Sequence, residues 1–276
     1  MQTSALQLER LQEARTIDDV LDNLDRVIEW SIQQGSAIGY FAVLYKRATL
    51  AVREAVIEGQ FDNPSRMEQF DVIFAQRYFN ALNAYFYPRE YDGLTLAWEV
   101  SFVGHEDSQS TMLQHMMTGL NAHICFDLGA TAAAIAPDSL DTLEHDFNLI
   151  NALVASQIRG MLKVVEKLSP EVRSIRRFVP NEVGLIRRLL IKFRTAAWHF
   201  AIDLALQPNN ARAKTVHHAS WTAALGAWYL QPPPRLTLFP LLVRTIVKRE
   251  SRDVAGNLRA LAEIKDEPEK RHRAFL

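Results

Sequence analysis

The chain has 276 residues, 48% of them hydrophobic and 23% charged, with 31 basic against 32 acidic side chains and a formal charge of -1. A chain of this length can bury a sizeable core, and the charge balance excludes a general electrostatic affinity for nucleic acid, because no basic excess exists to displace counterions. Cys125 is the sole cysteine, which excludes an internal disulfide and a zinc site built on several thiolates of one chain.

The opening MQTSALQLERLQEAR has no basic stretch followed by an apolar run, so no secretory signal is expected. Thr16 with Asp19 three residues on is a variant capping box and opens a helix through Ile32, which Gln33-Gln34-Gly35-Ser36 ends. From Ala37 to Glu58 the residues Phe41, Leu44, Tyr45, Ala48, Val52 and Val56 recur as one helical stripe. After a break at 59–64, a long helix from Ser65 to Phe86 carries Met67, Phe70, Phe74, Tyr78, Leu82 and Tyr85 on one face. Glu54, Glu58, Glu68 and Asp71 on these two helices are expected on a solvated face. Leu94 to Val103 fits helix or strand by periodicity alone.

Ser108 or Ser110 is expected to cap the next helix, which runs to about Ala136. Pro137-Asp138 opens a further one, through Leu168. Pro180-Asn181 opens a helix through Leu206, Pro208-Asn209-Asn210 is a turn, and Ala211 to Leu230 is again helical. A stiff proline connector at 231–234, a basic apolar segment up to Arg249, a short helix and a charged tail complete the chain. The pattern predicts an all-α, multi-helix bundle of long antiparallel helices. It is read as a single domain, with a main body at about 1–168 and C-terminal helices 170–276 packed on it. No apolar run reaches the roughly 18 residues that span a bilayer, so no transmembrane segment and a cytoplasmic, reduced setting are expected.

The segment Gln114 to Gly129, QHMMTGLNAHICFDLG, concentrates the polar residues of interest on a mostly apolar helix. A buried polar group needs a partner, so the segment implies either a hydrogen-bonded core network or a site. His123 and Asp127 stand four apart and share a helical face, roughly 6 Å apart along the axis, a spacing that suits one divalent metal ion such as zinc, iron or manganese. His115 lies roughly 12 Å before His123 and suits proton transfer better than shared ligation. Asn121 points elsewhere and, with Gln114, suits contact with a neighbouring helix. Further ligands would come from the helix carrying Asp141, Glu144, His145 and Asp146, or from the pair His199 and Asp203. Cys125 reads as buried and inert. The phosphate-loop, nucleophile-elbow, HExxH and calcium-loop motifs do not occur, so no nucleotide or flavin signature is present.

The stretches TIDDVLDNLDRVIEW, GYFAVLYKRAT, RMEQFDVIFAQRYFNAL, LQHMMTGLNAHICFDLG and HDFNLINALV, in this order, resemble the bacterial family known as domain of unknown function 5995. The resemblance implies recurrent polar positions at His115, Asn121, His123, Asp127, Asp146 and Asn151, leaves out His145 and His199, and carries no established activity. A likeness to zinc-dependent phospholipase C and single-strand nucleases is one of His-x-x-x-Asp spacing alone. Two functions are therefore expected as alternatives. The first is a metal-dependent enzyme acting on a small apolar substrate, with His123 and Asp127 on the metal and His115, Asn121 and Asp146 in catalysis. The second is a non-catalytic binding or scaffold protein, in which the same residues lock the helices together.

Overall fold

The computed structural model describes residues 7–106, 110–136, 139–172, 182–231 and 245–263, and everything regular in them is helical. Residues 7–15 lie along α3 (Pro64–Phe86) without regular structure. Leu8, Leu11 and Ala14 are buried there, and the backbone of Leu11 exchanges two 3.0 Å hydrogen bonds with the Asn83 side chain. α1 (Ile17–Gln34) begins with the expected box, in which the Thr16 and Asp19 side chains each accept from the other's backbone amide. It ends at Gly35, whose φ of 65° is a left-handed conformation that glycine adopts without strain. α1 packs on α2 (Ile38–Ile57) through Val20, Leu24, Val27 and Ile28. Asn63 caps α3, with Pro64 at its first position, where a missing amide hydrogen is harmless.

The ambiguous segment before residue 104 resolves as a helix, α4 (Leu96–Val103), with Trp98 buried. Its burial on Phe41, Tyr78 and Phe102 decides what periodicity alone leaves open. The next helix is a continuous rod of three parts: α5 (Met112–Leu120), a π-wound stretch at Asn121–Asp127, and α6 (Leu128–Ile135). Its cap is Thr111, in a full capping box with Gln114, rather than Ser110; Ser108 lies outside the described residues. α7 (Leu140–Leu168) follows, and the expected opening at Pro137-Asp138 lies outside the described residues. α8 (Glu182–Leu206), α9 (Ala211–Leu230) and α10 (Val254–Ala262) complete the fold; the expected cap at Asn181 and the proline connector also lie outside it.

The rod sits in the middle, with α2, α4, α8 and α9 against it. Two glycines permit this closeness. A Cβ on Gly119 would stand 2.5 Å from the Phe41 ring, and one on Gly129 would stand 2.5 Å from the Ala197 carbonyl oxygen. No described helix is long and apolar enough to cross a membrane.

Candidate functional site

The π-wound stretch begins where Leu120 ends α5, and its register is visible in the Leu128 amide, which donates to the His123 carbonyl five residues back. Such wide turns are uncommon and recur at functional sites. All seven residues of the stretch are buried.

His123 faces α2 and α3. Its ring stacks on Phe74 at 3.6 Å with 13° between planes, and Tyr45 meets it edge-on at 4.2 Å. Neither ring nitrogen has a hydrogen-bond partner among the described residues. Burial, followed by the charges of Arg77 and Arg194, drives its pKa well below the ordinary histidine value, so the imidazole is neutral.

Asp127 has partners of its own. One carboxylate oxygen accepts from Arg77 Nε at 2.8 Å and the other from Trp98 Nε1 at 2.7 Å. Burial raises its pKa, and Arg77 and Trp98 oppose that rise. Both oxygens expected to serve a metal beside His123 are thus engaged by donors. Among the described residues no third carboxylate, thiol or imidazole joins these two in a group able to hold an ion.

Asn121 and Gln114 reach the same neighbouring helix, as their spacing suggests. Asn121 Nδ2 donates to the Thr222 carbonyl at 2.8 Å, and Gln114 Nε2 donates to those of Tyr229 and Leu230 at 2.8 and 3.1 Å. α9 returns the contact through His218, whose Nε2 donates to the Cys125 carbonyl at 2.6 Å while its ring stacks on Phe200. Cys125 itself is buried, and that burial pushes its thiol up to about 12, which keeps it protonated and unreactive.

Asp146 on α7 accepts from the backbone amides of Asp62 and Asn63 at 2.7 and 3.1 Å, holding the loop that caps α3. With exposed Asp62 and His145 it forms a group that could hold a metal ion, the ligand atoms lying within 4.8 Å of one another. His115 is buried away from this group; it lines a separate cavity of about 340 Å³ with Tyr40 and Glu250. His199 and Asp203 are both exposed, so the alternative ligand pair on α8 lies on the surface.

The rod, α2, α3, α7 and α8 line a partly open cavity of about 190 Å³ beside His123, with walls almost wholly of carbon from residues such as Tyr45, Phe74, Met116, Met161 and Leu190. Asp71 and Arg194 also line it. Asp71 is a correction to the sequence reading: it is buried, not solvated, and burial lifts its carboxyl to about 7. Sequence reasoning also passed over Arg194, Arg77 and Trp98. A signal was available for the first, since Arg194 falls in the helical stripe Leu190, Ala197, Ala201, where a lone charge is conspicuous.

Fold and site together define an all-α protein with a π-wound turn in its central rod and a carbon-walled cavity beside one neutral histidine. The chain belongs to the family described as Family of unknown function (DUF5995), which it matches over residues 17–233, a span that includes every residue lining that cavity. No curated protein and no solved structure matches it.

Proposed function

We propose that this protein binds a small apolar molecule in the cavity beside His123, and that His123 is the group that meets the molecule's polar atom. The observation that carries this reading is the cavity itself, about 190 Å³ with walls almost wholly of carbon. An apolar cavity of ~150 Å³ takes up benzene, so this one suits an apolar body of about eight non-hydrogen atoms. His123 adds one N–H donor and one lone pair that no described residue uses. In an enzymatic form of the same reading, the neutral imidazole takes a proton from the bound molecule, and the apolar wall keeps water from competing.

A second reading, a structural hydrogen-bond network, is supported for Asn121, Asp127 and Asp146, each of which ties the rod or a loop to another element. These three are assigned to positioning rather than to substrate. A divalent metal at His123 and Asp127 would have to displace Arg77 and Trp98 from Asp127.

Titrating the protein with toluene, followed by the rise in its thermal midpoint, tests the cavity reading. A saturable rise is expected, and Ile150→Phe, which fills the cavity from α7, should abolish it. A midpoint indifferent to toluene in the unaltered protein would contradict the reading.

A further inference from the structure

Arg194 is 3% exposed and lies in the wall of the cavity on α8. One guanidinium nitrogen, Nη2, donates to the Phe147 carbonyl at 2.6 Å, and the group lies over the Phe147 ring, 4.4 Å from its centre. Among the described residues Nε has no hydrogen-bond partner, and no carboxylate pairs with the charge. Buried charges are normally paired, because a carbonyl and a ring face replace only part of the hydration that a guanidinium loses. Burial accordingly pulls this one down to about 9, still charged at neutral pH.

The same wall holds His123, with two unpartnered nitrogens, and the Arg194 charge bears directly on its titration. Two buried donors without acceptors therefore share one cavity. Tyr45, Thr49, Asp71 and Gln157 are the other polar residues of the wall, and burial lifts the Asp71 carboxyl to about 7, so its negative charge is suppressed below that pH.

We propose that the occupant of this cavity is a small apolar monocarboxylate, its hydrocarbon body against the carbon wall and its carboxylate accepting hydrogen bonds from Arg194 and from the N–H of His123. The proposal rests on the reading of the cavity as a ligand site and names the class of ligand. A carboxylate matches the planar fork of a guanidinium and brings one negative charge to one positive charge. A phosphate monoester would bring close to two charges into a wall that offers one. A neutral molecule would leave Arg194 uncompensated.

Calorimetric titration of the full chain at pH 7 with phenylacetate, octanoate, the primary amides of both, and toluene tests this. At least one acid should bind tenfold or more tightly than its own amide, and which acid does so distinguishes a ring from a chain. Arg194→Met should remove that preference while the amide and toluene still bind, which also shows that the variant is folded. Arg194→Lys keeps the charge, loses the fork and should recover part of the preference. Equal binding of acid and amide by the unaltered protein, or a preference that survives in Arg194→Met, would overturn the proposal. If toluene and the amides bind while the acids do not, the carboxylate is wrong and the cavity reading stands. If none of the five binds, both fail.

Discussion

His123 stacks on Phe74 and bonds to none of the described residues through either nitrogen, which is unfavourable in a protein without ligand. A buried polar group left without a partner costs about 1–3 kcal/mol. His123→Leu should therefore stabilise the unliganded protein by about 1 kcal/mol, read from urea unfolding, while weakening ligand binding. A loss of more than about 2 kcal/mol would mean that the imidazole has a partner in the protein. Asp71 adds a titration of opposite sign. In the folded chain it keeps its proton up to about pH 7, whereas in the unfolded chain it ionises near ~3.9. Between those values the folded state holds one proton more, so its contribution to stability falls as the pH rises. The folded His123 stays neutral, whereas the unfolded residue gains a proton below about 6.5, so that contribution falls as the pH drops. The two slopes oppose each other in the unaltered protein. Asp71→Asn leaves the His123 slope alone and should be more stable at pH 8 by up to about 4 kcal/mol, with the gain vanishing toward pH 4. Parallel pH profiles for the two proteins would contradict the burial of Asp71. Both residues were partly legible: His123 stands out in an apolar helix, and Asp71 falls four residues after Met67 and three before Phe74 on a buried stripe. The sequence reading groups Asp71 with Glu54, Glu58 and Glu68 on a solvated face. The direction in which a helical carboxylate turns is set by what packs on it, and the chain order does not carry that.

At the scale of elements, helix positions and ends followed from period, caps and breakers, because these are local. α9 matches its expected span of Ala211–Leu230, and α3 starts within one residue of it. The π-wound stretch was not legible, since no residue type demands an i→i+5 turn and it arises where the rod meets several helices at once. Helical arithmetic put His123 and Asp127 on one face, and both lie near Arg77 and Trp98, but it could not show that these two side chains hydrogen-bond Asp127. The rod is held from both sides. Gln114 both completes its cap and binds the last carbonyls of α9, so Gln114→Ala should cost about 1–3 kcal/mol and loosen α9, read as faster amide exchange there. Gly129→Ala would press a methyl group onto the Ala197 carbonyl and should cost about 1–3 kcal/mol through the separation of α6 from α8. A neutral Gly129→Ala would show that the two helices are not in close contact.

For the molecule as a whole, the cavity is the informative feature, because its wall takes residues from α2, α3, the rod and α7 and also from α8. It exists only with α8 packed beside α2, α3, the rod and α7, a long-range consequence that the segment-by-segment reading could not contain. The single-domain reading predicts one cooperative unfolding transition, with tryptophan fluorescence and helical circular dichroism changing together. Three methionines, Met116, Met117 and Met161, line the cavity, whereas Met67 and Met112 are buried outside it. Methyl-labelled methionine resonances, followed by NMR as toluene is added, therefore test the central claim most directly. Saturable shifts confined to Met116, Met117 and Met161, with Met67 and Met112 unmoved, are the predicted result; shifts absent from all five, or spread evenly over them, would contradict a binding cavity beside His123.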